Sequence, residues 1–188
     1  MRDRLPPTIG IVGWKKSGKT TLAVRLISEM TRRGFRVASV KHAHHAFQID
    51  DGETDSARHR RAGAGQVAIV AASRWAIVTE LGNAPEPDFA EVIGRLDPCD
   101  VVIVEGYKSA PVAKIEARRR ACLDQRPLAP KDPLIVAIAA DHEVDDTNLP
   151  VFALDDVPAI ADFVARTLRL APAGRPRDRA HRPGPVRA

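Results

Sequence analysis

Residues 8–12, Thr-Ile-Gly-Ile-Val, form an apolar run bounded by Pro7 and Gly13, too short for a helix, and predict a buried strand. The period then changes. Leu22, Leu26 and Met30 recur four apart with Ala23 and Ile27 beside them, predicting a helix over 18–33 that Gly34 closes. Residues 36–41 read as a second strand and 42–54 as a polar loop, after which Asp55 caps a short helix through Arg61. Residues 66–71 and 75–79 are two strands with three residues between them. So short a link favours an antiparallel pair, so the sheet is expected to be mixed. Beyond Pro85 and Pro87, Asp88 opens a helix to about Leu96. Residues 100–104 carry four consecutive β-branched apolar side chains, the mark of a central strand buried on both faces. Residues 114–117 read as a short strand, 118–133 as irregular and charged, 134–139 as a second central strand and 151–154 as a shorter one. Asp156 caps a last helix whose Ile160, Phe163, Val164 and Leu168 keep helical spacing. Strands alternating with helices imply a layered α/β fold with ligands at the carboxyl ends of the strands.

Between the first strand and the first helix stand Gly13-Trp14-Lys15-Lys16-Ser17-Gly18-Lys19-Thr20, which fit the phosphate-loop pattern G-x-x-x-x-G-K-[ST] in the context it requires. Glycine tolerates positive φ, so the backbone curls and turns its N–H groups inward as an anion nest, to which the helix adds the positive end of its dipole. Lys19 then reaches the β- and γ-phosphates, Thr20 places its hydroxyl on Mg²⁺, and Thr21 is a donor to the α-phosphate. Lys15 and Lys16 lie outside the general motif; they are either solvated charge beside a polyanion or a phosphate contact, one of them across a subunit boundary. The fold class that follows is a three-layer P-loop NTPase fold, with a mostly parallel central sheet and an antiparallel strand pair.

The strand over 101–104 ends in Glu105-Gly106. A carboxylate at the end of a buried strand is where nucleotide hydrolases hold Mg²⁺ or its water shell, so Glu105 is a metal-site candidate. Gly106 lets the next backbone N–H approach the γ-phosphate. The loop Lys41-His42-Ala43-His44-His45 leaves another carboxyl end, with Asp50 as an outer Mg²⁺ ligand. Adjacent histidines with no cysteine nearby fit a phosphate- or substrate-facing loop better than a transition-metal site.

Composition narrows this further. No run of 18 apolar residues occurs, so no membrane span is expected. Cys99 and Cys122 are the only cysteines and lack metal spacing; with no apolar secretory segment behind Met1–Pro7, a reducing cytoplasm is expected. Of the formal net charge of +5, four units come from residues 171–188, which hold five arginines, one aspartate and four prolines. That tail is expected to be disordered, and residues 1–170 to form one nearly neutral nucleotide-binding domain without a nucleic-acid face.

Together these pieces resemble the MobB family, the molybdopterin-guanine dinucleotide biosynthesis adapter proteins. The resemblance rests on the loop from Gly13 to Thr21, on Lys41-His-Ala-His-His45, on Asp50-Asp-Gly-Glu-Thr-Asp55-Ser56 and on His59-Arg-Arg-Ala-Gly63-Ala. It continues through Arg74-Trp75, Glu105-Gly106-Tyr107-Lys108 and Lys114-Ile115, in order over about residues 8–170. It implies a homodimer that binds GTP with Mg²⁺, hydrolyses it weakly, and assists the nucleotidyltransferase that attaches GMP to molybdopterin, with molybdopterin itself a further candidate ligand. Carried over by position, Gly13, Ser17, Gly18, Lys19, Thr20 and Thr21 hold phosphates, and Asp50 and Glu105 serve the Mg²⁺ site. The residues alone leave the base open between GTP and ATP. No Asn-Lys-x-Asp motif occurs, and Asp141, after the strand 134–139, is placed by position alone as the acceptor from a guanine edge. No catalytic residue beyond these is identifiable. The rival reading is a P-loop small-molecule kinase or ligase that uses ATP or GTP and binds its acceptor near His42–His45.

Overall fold

A computed structural model describes residues 5–43 and 52–171. By its internal contacts, the segment 43–88 is one compact unit and the rest of the chain another.

The larger unit is built on a six-stranded sheet. In chain order its strands are β1 (Thr8–Val12), β2 (Val37–Lys41), β5 (Val101–Glu105), β6 (Lys114–Arg118), β7 (Ile135–Ala140) and β8 (Val151–Ala153); in space they run β2-β5-β1-β6-β7-β8. Every pairing is parallel. The strand pair β3 (Gln66–Ala71) and β4 (Arg74–Thr79) is antiparallel, as so short a link demands. It forms a two-stranded sheet of its own in the smaller unit, so the central sheet is parallel throughout rather than mixed.

Alternation along the strands sorts the core into two clusters. Ile9, Ile11, Val101, Ile103, Ile115 and Ala137 face α1 (Lys19–Arg32) and α4 (Val157–Thr167), which contribute Leu22, Leu26, Met30, Ile160 and Val164. On the opposite face Val102 and Val104 pack on Phe89 and Ile93 of α3 (Phe89–Gly94). Arg33 ties α1 to α4: it donates to Glu29 at 2.7 Å, to Asp162 at 2.5 Å and to the Pro158 carbonyl at 3.0 Å.

The face of β6 opposite α1 is ionic. Lys114, 2 % exposed, donates to Asp132 at 2.9 Å. Glu116, 1 % exposed, accepts from the N–H groups of Leu128 and Ala129 at 2.8 and 3.0 Å and from Arg118 at 3.1 Å. Arg118 also donates to Asp146 at 2.6 Å. Each buried charge is thus paired and hydrogen-bonded, the condition for tolerating it inside a protein. Gly10 lies beside Lys114 in the register, and a Cβ there would stand 2.9 Å from the Lys114 Cγ.

In the smaller unit, α2 (Asp55–Arg61) is capped by Thr54, whose hydroxyl accepts from the Ala57 N–H at 3.2 Å, not by Asp55. Asp55 instead supplies the negative charge of the first turn. Arg60 pairs with Glu80 at 3.0 Å.

Candidate functional site

The site grows from the chain leaving β1. Gly13 turns with φ +150°, and a Cβ there would lie 2.4 Å from the Ser17 Oγ and 2.5 Å from the Ala117 carbonyl, so the position admits only glycine. The Ser17 N–H donates to the Trp14 carbonyl at 3.1 Å and closes the loop. Gly18, at φ +91°, is the left-handed N-cap of α1 and brings no side chain to cap it, so the first-turn donors stay available. A cavity of about 510 Å³ lies against this turn, lined by Lys16, Ser17, Gly18, Lys19, Thr20 and Thr21 with Arg119 and Ala121. The Ser17 Oγ at its base is buried and has no protein partner among the described residues. A curled backbone, an uncapped helix start and an orphaned hydroxyl around one cavity fit a polyphosphate.

Three lysines and one carboxylate set the electrostatics. Lys19 Nζ donates to the Trp14 carbonyl at 2.6 Å. Its pKa is lowered, first by burial; the Glu105 carboxylate opposes that shift and the Lys108 ammonium adds to it. Thr20 donates its hydroxyl to the Glu105 Oε1 at 2.5 Å, and Lys41 Nζ lies 3.6 Å from the same oxygen. Glu105 is reached from both sides because β5 lies between β1 and β2 in the sheet. A threonine hydroxyl touching a carboxylate at a phosphate loop is a hard-oxygen donor set suited to Mg²⁺. Gly106, at φ +82°, commits its own N–H to the Ile11 carbonyl at 3.0 Å, so any phosphate donor in that turn comes from a later residue.

On the far side of α1 a second cavity, of about 780 Å³, opens between the ends of β7 and β8; Thr21, Arg25, Arg119, Asp141, Leu154 and Asp155 are among its lining residues. It shares Thr21 and Arg119 with the first cavity. Asp141 accepts from the Arg120 N–H at 2.7 Å and His142 Nδ1 at 3.0 Å, with Arg119 at 3.7 Å. Its pKa is lowered, first by the His142 hydrogen bond.

The structure therefore gathers Gly13, Ser17, Gly18, Lys19, Thr20, Thr21, Glu105 and Gly106 around one turn of chain. Lys15 and Lys16 are exposed at the loop's outer edge. His42 stacks on Tyr107 with ring centroids 4.2 Å apart, and its backbone N–H donates to the Glu105 carbonyl at 2.9 Å. His44, His45 and Asp50 lie outside the described residues, as does the tail from Pro172 on. Among the described residues, no three His, Cys, Asp or Glu side chains cluster as a metal site. Sequence reasoning missed Arg119, which lines both cavities, and Lys41 as the partner of Glu105. The signal for Arg119 was a run of three arginines at the carboxyl end of a strand.

Comparison with known proteins converges on one family. The profile described as molybdopterin guanine dinucleotide synthesis protein B matches residues 8–141. The Haemophilus influenzae molybdopterin-guanine dinucleotide biosynthesis adapter protein is 37 % identical over 164 residues, 86 % of this chain and 89 % of its own. Its Escherichia coli namesake is 34 % identical over 167 residues, 87 % of this chain and 94 % of its own. A crystal structure of molybdopterin-guanine biosynthesis protein B superposes with a TM-score of 0.66 at 28 % identity, covering 85 % of this chain and 99 % of that one. The Bacillus subtilis MobB structure, at 24 % identity and a TM-score of 0.66, shares the fold.

Proposed function

The chain belongs to the MobB family, and from that premise we propose that it is a GTP-binding adapter of molybdopterin guanine dinucleotide biosynthesis. In this reading the phosphate loop takes the triphosphate of GTP, Thr20 and Glu105 take Mg²⁺, and the protein assists the nucleotidyltransferase that joins GMP to molybdopterin. The observation that carries it is the cradle at Gly13–Thr20, where an uncapped helix start, Lys19 and the Thr20–Glu105 pair surround one cavity. Asp141, which lines the adjoining cavity, is the candidate acceptor for the guanine edge.

Hydrolysis, where it occurs, is attack of water on the γ-phosphate. The loop amides, Lys19 and Mg²⁺ stabilise the spreading charge. With no dedicated water-positioning glutamine assigned, the rate is expected on the order of 10⁻⁴ to 10⁻² per second. The proposed working location is the cytoplasm, where the two cysteines, Cys99 and Cys122, would stay reduced. A homodimer is also proposed. Its support is the outward face of the β3–β4 pair, where Val70 (78 % exposed), Trp75 (50 %) and Ile77 (52 %) form an apolar patch.

Calorimetric titration of the full chain with GTP and with ATP, each with Mg²⁺, tests the reading. We expect GTP to bind and Lys19→Ala to weaken it at least a hundredfold, the size of about 3 kcal/mol of charge-assisted contacts. The fold should survive, because the Lys19 ammonium hydrogen-bonds within its own loop, to the Trp14 carbonyl. An unchanged affinity overturns the loop assignment. Phosphoryl transfer that depends on an added small-molecule acceptor supports the kinase rival instead.

A further inference from the structure

Trp14 stands at the first variable position of the phosphate loop, where the motif asks for no particular side chain. Here every part of it is engaged. Its carbonyl accepts from Lys19 Nζ at 2.6 Å, its indole N–H donates to the Arg126 carbonyl at 2.7 Å, and the Lys108 ammonium stands 3.7 Å from the ring centroid. The Arg126 guanidinium carbon lies 5.1 Å from the same ring. One residue thus holds the lysine that the phosphate-loop motif directs at phosphate and a second lysine, from the Glu105-Gly106-Tyr107-Lys108 segment, that the phosphate loop itself does not supply.

The backbone under Lys108 is pinned. The Gly106 N–H donates to the Ile11 carbonyl at 3.0 Å, the Lys108 N–H to the Gly106 carbonyl at 3.0 Å, and the Ala110 N–H to the Tyr107 carbonyl at 3.1 Å. Tyr107 is held by stacking on His42 at 4.2 Å and by an edge contact with Phe89 at 5.5 Å. What can still move is the Lys108 side chain, four methylenes long, resting on a neutral aromatic face. Lys108 follows Glu105 by three residues and its ammonium is close enough to Lys19 to lower that lysine's pKa, so it belongs with the Mg²⁺ side of the cradle. The Mg²⁺ side is where the terminal phosphate of a bound triphosphate lies. A π face attracts an ammonium weakly, whereas a phosphate oxygen attracts it as an ion.

We propose that Lys108 is the residue by which this protein distinguishes a nucleoside triphosphate from a diphosphate, parked on Trp14 until a terminal phosphate draws its ammonium off the ring. The inference rests on the nucleotide-binding reading above. The like charge of Lys108 weighs on Lys19 and is opposed by the Glu105 carboxylate, while Asp124 lies within the field of Lys108; a terminal phosphate offers both ammonium groups a further anion to share.

The test uses the full chain with Mg²⁺ and measures GTP and GDP affinities by calorimetry for wild type, Lys108→Met and Lys108→Arg. In parallel, Trp14 emission is recorded in a Trp75→Phe background, since the chain has two tryptophans. The expected result is that Lys108→Met weakens GTP about tenfold or more, one charge-assisted contact, while GDP stays within about twofold. Lys108→Arg should restore most of the loss. Trp14 emission should respond to GTP more than to GDP, and this difference should vanish in Lys108→Met. Equal weakening of both nucleotides, or an unchanged GTP affinity, overturns the assignment. A wild type that binds neither nucleotide overturns the nucleotide-binding reading beneath it, which separates the two failures.

Discussion

Glu105→Gln removes one charge and almost no volume. The side chain is 14 % exposed, accepts from Thr20 at 2.5 Å and has Lys41 at 3.6 Å. An amide oxygen can still accept from the threonine, so the apo fold should change little. With Mg²⁺ the charge matters. For a dication one water away, about 4 Å from the carboxylate, Coulomb's law at the fully screened limit gives about 2 kcal/mol, or a loss of about thirtyfold in affinity. Lys41 offsets part of the carboxylate's field, which is why the screened limit is the fitting one. Without Mg²⁺ the sign reverses: Glu105 repels a naked triphosphate, so Glu105→Gln should bind it as well as wild type or better. Calorimetry of GTP with millimolar Mg²⁺, and again with a chelator, reads both arms. A variant that weakens binding by the same factor in the two arms would show Glu105 to be a structural residue with no part in metal binding.

Gly13→Ala forces a Cβ to 2.4 Å from the Ser17 Oγ and 2.5 Å from the carbonyl of buried Ala117, at φ +150°. The hydroxyl can rotate but the strand carbonyl cannot, so about 2–4 kcal/mol of stability should be lost, a fall in Tm of about 5–15 °C. Gly65→Ala, with nothing within 4 Å of its Cβ, is the control and should leave the melting curve in place. Glu29 offers a pH readout. Hydrogen bonds from Arg32 and then Arg33 hold its carboxyl down to about 2, from an ordinary 4.5. A depressed acid stabilises the fold fully above its unfolded pKa and loses that contribution as pH falls through the folded one. The stability difference between wild type and Glu29→Gln should therefore shrink between pH 4.5 and about 2; a difference that stays constant across that range refutes the linkage.

The cradle was legible in advance because it is local. Loop curl, helix start and the position of Lys19 are set within eight consecutive residues, and the end of a continuous apolar strand placed Glu105 nearby. The parts that needed the structure depend on non-local partners. Residues 114–117 read as a short strand, but the alternation of charged and apolar side chains over 114–118 does not say what its charged face meets. In the structure that face is closed by Asp146 and, from the segment 118–133 that reads as irregular, by Asp132 and the N–H groups of Leu128 and Ala129. Arg119 lines both cavities because the chain after β6 returns beside the phosphate loop, which no spacing rule reveals. The short link between β3 and β4 correctly dictated their direction, yet it carried no information on which sheet they would join.

The ionic ladder on β6 has a bearing on folding. Moving that strand along its neighbours by a single residue would turn Lys114, Glu116 and Arg118 toward the aliphatic layer of α1 and α4 and bring Ile115 and Ala117 out beneath the turn at Leu128. A misthreaded sheet would strand three unpaired ions in hydrocarbon. The strand that underlies the nucleotide cradle therefore works as a key cut for one lock, and the Ala117 carbonyl that crowds Gly13 arrives under the loop in only one alignment.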